Sequence, residues 1–188
     1  MKIGILGGTF NPVHIGHLIL ADEAREKLGL DKVIFVPTYL PPHKENGDII
    51  SAKHRLAMIK QAIRENCFFS VSDIEIRRKG RSYTIDTVKA FNKKYPKDEL
   101  YYITGSDLLK YLKEWKDLDD ILKIVKFVVA TRPGYPLEKI PSYIRRVSIR
   151  AVDVSAFEIR QCIKEGKSFR YLVPVAVFEY ITKKRLYR

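Results

Sequence analysis

Cysteine is scarce in this chain of 188 residues: there are two, Cys67 and Cys162. They lie far apart and outside any metal-type spacing, which argues against a disulfide framework or a cysteine-based zinc site. Both read as packing residues. Long apolar runs are missing too. The run from Ile3 to Leu6 follows a single lysine and stops at a glycine pair, too short for a signal-peptide core or a membrane span. A cytoplasmic location is therefore the expectation. Internal repeats and low-complexity tracts are absent. Acidic residues fall short of basic ones, 22 against 35, for a net charge of +13. Such an excess suits nucleic acid, an anionic membrane or small phosphorylated molecules. The basic residues are scattered, however, and the closest clusters, Arg77-Arg78-Lys79 with Arg81 and Lys183-Lys184-Arg185, lack the interleaved aromatics of a single-strand binder. The balance points to a small phosphorylated partner rather than to nucleic acid or membrane.

What is present is a globular composition, 46% hydrophobic and 30% charged, enough for one α/β domain with a real core. Apolar runs read as buried strands at Ile3 to Leu6, Val33 to Val36, Leu100 to Thr104 and Lys126 to Ala130, with a shorter one at Val147 to Val152. Phe68 to Ile76 also reads as a strand, of mixed alternation. Helical stripes follow most of them: Leu18, Ala21, Ala24 and Leu28; Leu56, Ile59, Ala62 and Ile63 behind a Ser51 cap; Ser82 to about Lys94; two short helices over Leu108 to Leu122; Ser155 to near Gly166, with Glu158 completing a capping box; and a last helix carrying Val177, Phe178 and Ile181. This alternation predicts a doubly wound, Rossmann-like parallel sheet with helices on both faces. A single domain is expected over 1–188, with a sheet core to about 152 and a small helical part over about 153–188.

Between the first strand and first helix stands Gly7-Gly8-Thr9-Phe10-Asn11-Pro12-Val13-His14-Ile15-Gly16-His17. Glycines let backbone approach a ligand, and the N–H groups of a starting helix favour anions. His14 and His17, three residues apart, would project on one side of the first turn. Imidazole can donate to phosphate oxygens. Three further segments fall at strand ends or helix starts: Pro42 to Lys44, Gly105 to Asp107 and Ser155 to Arg160. In an open parallel sheet these gather around one crevice. Neither a nucleophile with its base nor a metal-ligand cluster is evident, which suits a reaction catalysed by positioning phosphates and neutralising charge.

These segments, with Tyr39-Leu40-Pro41-Pro42-His43-Lys44, Arg81-Ser82-Tyr83-Thr84-Ile85-Asp86-Thr87, Gly105-Ser106-Asp107-Leu108-Leu109, Trp115, Arg132-Pro133-Gly134 and Ser155-Ala156-Phe157-Glu158-Ile159-Arg160, resemble in order the bacterial nicotinate-nucleotide adenylyltransferases. That family belongs to the nucleotidyltransferase superfamily with the His-x-Gly-His motif. The resemblance implies that AMP passes from ATP to nicotinate mononucleotide, giving nicotinate adenine dinucleotide and pyrophosphate, with Mg2+ accompanying ATP. It further implies catalytic roles for His14, His17, Lys44 and Arg160. ATP would be bound by Gly7, Gly8, Thr9, Phe10, Gly105, Asp107, Arg132 and Ser155. Nicotinate mononucleotide would be bound by Thr84, Trp115 and Lys116, and a homo-oligomer is compatible with the family. Two positions depart from the pattern: Asn11 stands where Asp is commoner, and Phe157 where Thr is expected. Alternatives at this stage are transfer to nicotinamide mononucleotide or phosphopantetheine, and, from a different class, a basic nucleic-acid-binding module. An aminoacyl-tRNA synthetase fragment would share His-x-Gly-His, but a Lys-Met-Ser-Lys-Ser segment is missing and the chain is short.

Overall fold

In a computed structural model, residues 1–41, 49–131, 141–150 and 152–188 are described. The strands are β1 (Lys2–Gly8), β2 (Lys32–Pro37), β3 (Phe69–Val71), β4 (Glu99–Gly105), β5 (Lys126–Thr131) and β6 (Ile144–Ser148), and among the described residues helices separate all of them but β5 and β6. The helices are α1 (Ile15–Leu28), α2 (Ala52–Ala62), α3 (Ile74–Arg78), α4 (Thr84–Lys94), a 3-10 helix (Ser106–Glu114), α5 (Leu118–Ile124), α6 (Ala156–Lys164) and α7 (Val175–Lys184). The sheet runs in the order β3-β2-β1-β4-β5-β6, and each strand is parallel to its neighbours. This is the doubly wound order, whose direction of winding reverses between β1 and β4.

Two cores follow from the period of two along each strand. Leu6, Val33, Phe35, Tyr101, Ile103 and Val128 join one, together with Ala21 and Ala24 of α1, Ile159 of α6 and Val177 and Ile181 of α7. Ile3, Ile5, Ile34, Val36, Leu100, Tyr102, Phe127 and Val129 join the other, with Ile85 and Val88 of α4 and Ile121 of α5. Near-continuous apolar strands are thereby explained, since each is covered on both faces. Gly29 in the left-handed region, φ 61°, ends α1. The same helix is pinned from its middle by Glu23, only 3% exposed. Glu23 accepts from the Arg150 guanidinium, from the Arg150 backbone N–H at 3.1 Å and from Lys27 Nζ at 2.9 Å.

Two expectations need correction. The strand predicted over Phe68 to Ile76 is confined to Phe69–Val71 and gives way to α3. A continuous strand would have set Asp73 and Glu75 on the same face as Phe69 and Val71. A helical turn instead pairs Asp73 with Arg77 at 3.0 Å and lets buried Glu75 accept from Thr87 Oγ1 at 2.5 Å. The last strand lies at Ile144–Ser148 rather than 147–152. Arg145 and Arg146 obscure it in the sequence, but they are exposed at a sheet edge, where charges are well tolerated.

Candidate active site

The carboxyl ends of β1 and β4 meet at the point where the winding reverses, and the signature turn leaves β1 there. His14 is the N-cap residue of α1 and His17 lies in its first turn. Their rings come within 3.7 Å, centroid to centroid, with 35° between planes, so the expected projection on one side holds. The His14 backbone N–H donates to His17 Nδ1 at 3.2 Å. With Nδ1 accepting, a neutral His17 ring carries its proton on Nε2, which makes that nitrogen a donor. Phe10 supports the His17 ring edge-on at 4.9 Å. Gly16 keeps the turn compact, for a Cβ there would lie 3.1 Å from His14 Nδ1 and 3.8 Å from the Val154 carbonyl. The start of α1 therefore sits beside the segment that leads into α6.

Arg160 of α6 crosses to this turn: its Nη1 donates to the Asn11 carbonyl at 2.9 Å and to the Ala156 carbonyl at 3.0 Å. Phe157, 57% exposed, lies under the Arg160 guanidinium at 5.8 Å, so this departure contributes a stacking face rather than a hydroxyl. Ser155 caps α6. Its Oγ accepts from the Glu158 N–H at 3.2 Å and donates to Glu158 Oε2 at 2.9 Å, while its backbone N–H donates to the same carboxylate at 3.1 Å. The carboxylate thus holds the donors that the resemblance offers to a phosphate. The other departure has a structural role: Asn11 Oδ1 accepts from the Tyr187 hydroxyl at 3.0 Å and from the Ile50 N–H at 3.3 Å.

A second cluster abuts the first from the opposite face of the sheet. Tyr102 of β4 is buried, and its hydroxyl lies 3.4 Å from Thr84 Oγ1 in the first turn of α4. Burial pushes that hydroxyl well above the usual phenol range, so it stays neutral. Trp115 stands edge-on to Tyr102 at 5.7 Å and to Phe127 at 5.5 Å. Lys116 Nζ lies over the Tyr83 ring at 5.1 Å. The consecutive Trp115 and Lys116 are brought beside Thr84, which lies far from them in sequence. Gly7 and its neighbour Gly8 join the two clusters: a Cβ at Gly7 would overlap the Tyr102 hydroxyl, and one at Gly8 would stand 3.0 Å from the Phe10 ring that supports His17.

Gly105 caps the 3-10 helix at the end of β4, and the Asp107 backbone lies within that helix. Lys44 and Arg132 fall outside the described residues. The sequence reading missed Tyr102, Ser82 and Arg55. Ser82 Oγ accepts from the Tyr39 N–H at 2.9 Å, and Arg55 is 1% exposed. A signal for Arg55 existed: it precedes Met58 and Ile59 by three and four residues, putting a charge on the apolar face of α2. Among the described residues no group of three or more His, Cys, Asp or Glu side chains converges as a metal would require. Nor is any described helix long and apolar enough to cross a membrane.

The cytidylyltransferase-like family matches residues 5–162, which contain both clusters and all of the sheet except the first three residues of β1. The chain belongs to this family and is a nucleotidyltransferase. Over 187 residues it is 46% identical to a probable nicotinate-nucleotide adenylyltransferase of Enterococcus faecalis, covering 100% of this chain and 85% of the relative. The nicotinate-nucleotide adenylyltransferase of Bacillus subtilis is 40% identical over 186 residues, covering 99% of this chain and 98% of its own length. The fold matches that of the nicotinic acid mononucleotide adenylyltransferase of Plasmodium falciparum complexed with NaAD. That match has a TM-score of 0.83 at 19% identity, covering 99% of this chain and 97% of the other.

Proposed function

We propose that the chain transfers AMP from ATP to nicotinate mononucleotide, releasing pyrophosphate and forming nicotinate adenine dinucleotide. The observation that carries the reading is the junction at Gly7. The paired imidazoles of His14 and His17 lie on one side of it, and the Tyr102, Thr84 and Trp115 cluster on the other. A nucleotide on the first side and a mononucleotide on the second would place acceptor phosphate and donor phosphate together.

An oxygen of the mononucleotide 5′-phosphate attacks the ATP α-phosphorus in line. The new O–P bond forms as the bond to the β-phosphate oxygen breaks, and pyrophosphate leaves with that electron pair. The protein contributes position and charge. The backbone of Gly7, Gly8, Thr9 and Phe10 faces the nucleotide, with Gly105, Asp107, Arg132 and Ser155 completing its site. His14 and His17 hold phosphate oxygens, His17 through Nε2–H, and Arg160 and Lys44 add cationic donors. For Ser155 to serve, Glu158 has to release its hydroxyl. Trp115 offers an indole face to the pyridine ring, and Thr84 and Lys116 supply donors for its carboxylate. Mg2+, bound mainly by the phosphates of ATP and water in the manner usual for that ion, would neutralise the departing pyrophosphate.

The amide of nicotinamide mononucleotide would call for an acceptor where the acid calls for donors. The donors proposed around Trp115 therefore favour the acid. Incubation with ATP, Mg2+ and nicotinate mononucleotide, followed by mass spectrometry, tests the reaction itself. Nicotinate adenine dinucleotide and pyrophosphate are expected one for one. Formation of ADP, or consumption of ATP without a dinucleotide, would sink the reading.

A further inference from the structure

Arg55 is among the most deeply buried large side chains in the molecule, yet the structure gives it carbonyl partners rather than a carboxylate. Each guanidinium nitrogen reaches a different strand-end or loop residue. Nη1 donates to the Thr9 carbonyl at 2.8 Å, Nη2 to the Tyr39 carbonyl at 3.1 Å and Nε to the Ile50 carbonyl at 3.1 Å. Burying a charge this completely is costly unless its donors are used. A planar fork rigidly spaced to meet three carbonyls meets that condition; an ammonium on a flexible stem does not.

The Thr9 bond matters most. The peptide joining Thr9 to Phe10 is planar and trans, so fixing the direction of the Thr9 carbonyl fixes the opposite direction of the Phe10 N–H. Phe10 is held at φ 49°, a left-handed conformation that a bulky residue adopts only when its surroundings over-determine it. Its ring is locked between His17 at 4.9 Å and Phe35 at 5.7 Å, and its amide plane is locked by Arg55. By contrast, the Tyr39 segment has anchors besides Arg55: the Tyr39 N–H donates to Ser82 Oγ at 2.9 Å and the Leu40 carbonyl accepts from the Ser82 N–H at 2.9 Å. Ile50 likewise has a second tie, from its N–H to Asn11 Oδ1 at 3.3 Å.

We propose that Arg55 is a positioning residue for adenylyl transfer, setting the Thr9–Phe10 peptide so that the signature backbone meets the phosphates of ATP. The inference rests on the assignment of Thr9 and Phe10 to ATP. It predicts a one-sided kinetic defect. In Arg55→Lys the ammonium cannot hold all three carbonyls, and the Thr9–Phe10 peptide, which among the described residues has no second hydrogen bond of the kind at Tyr39 and Ile50, turns away. Misplacement on the ångström scale costs roughly 10²-fold, so kcat should fall by about that factor and the KM for ATP should rise. The KM for the mononucleotide should stay within about twofold, because Arg55 holds the carbonyls of Thr9, Tyr39 and Ile50 and, among the described residues, makes no hydrogen bond or ring contact to Thr84, Tyr102 or Trp115.

The test is steady-state kinetics of full-length wild type and Arg55→Lys with both substrates varied, and with kcat referred to the folded fraction from circular dichroism. Arg55→Ala, assayed with and without millimolar guanidinium chloride, is the second arm, and partial return of kcat is expected there. Adenylyl transfer by the wild type is read first, and its absence would overturn the proposed function itself. With that activity present, three results overturn the role of Arg55 alone. These are unchanged kcat per folded molecule in Arg55→Lys, a defect confined to the KM of the mononucleotide, or failure of both variants to fold, which would assign Arg55 to folding only.

Discussion

Substituting Gly7 with alanine probes the junction between the two halves of the site. Gly7 does not have positive φ, so the backbone accepts a side chain and the penalty is steric. The new Cβ would overlap the Tyr102 hydroxyl and stand 3.1 Å from Tyr102 Cζ. Tyr102 has little room to retreat, being stacked on Phe127 at 5.6 Å and met edge-on by Trp115 at 5.7 Å. Overpacking of this kind costs about 1–3 kcal/mol. For a chain of this length that corresponds to a fall in Tm of roughly 2–12 °C. Tyr102→Phe deletes the overlapping atom at the expense of one long hydrogen bond, worth about 1 kcal/mol or less. The double variant leaves only the 3.1 Å contact. It should therefore be more stable than the sum of the single losses by at least about 1 kcal/mol, the coupling expected of residues in direct contact. Urea unfolding followed by fluorescence of Trp115, the single tryptophan, measures all four proteins. Strictly additive losses would refute the argument that Gly7 is required by the Tyr102 hydroxyl.

Three other outcomes follow. His17→Ala should lower kcat by roughly 10²-fold or more, as for loss of a transition-state donor. Its urea midpoint should stay near that of wild type; near-normal turnover would remove His17 from the chemistry. Trp115→Ala should raise the KM for nicotinate mononucleotide by about fivefold, in line with a lost aromatic contact of about 1 kcal/mol, and leave the KM for ATP nearly unchanged. Glu23 gives a pH dependence. The Arg150 hydrogen bond, then that of Lys27, lowers its carboxyl to about 2 from an ordinary 4.5. A depressed folded-state value means that the stabilisation is fully present above the unfolded value and is lost as pH falls from about 4.5 towards 2. Urea midpoints of wild type should fall through that window more steeply than those of Glu23→Gln, and equal slopes would count against the ion pair.

The fold was legible where one periodicity ruled. Apolar runs at Ile3, Val33, Leu100 and Lys126 stand out because parallel strands are covered on both faces, and the Ser155 box was written locally in the chain. Legibility failed where tertiary partners decide. Nothing near Glu75 in sequence announces that Thr87 will donate to it, and an edge strand bearing Arg145 and Arg146 has no apolar run to find. At the site, His14 and His17 could be seen because one helical turn sets their spacing. Tyr102 could not, for it is an ordinary core tyrosine until Gly7 and Thr84 are brought against it across the sheet. In the sequence Asn11 is only a departure from the commoner Asp, and its bonds to Tyr187 and Ile50 give it a purpose that only the folded chain reveals.

The most direct test is acceptor-dependent pyrophosphate release, measured with ATP and Mg2+ in the presence of nicotinate mononucleotide, nicotinamide mononucleotide or phosphopantetheine. The account predicts the highest kcat/KM with nicotinate mononucleotide. Preference for either of the other acceptors, or no pyrophosphate with any of them, would contradict it.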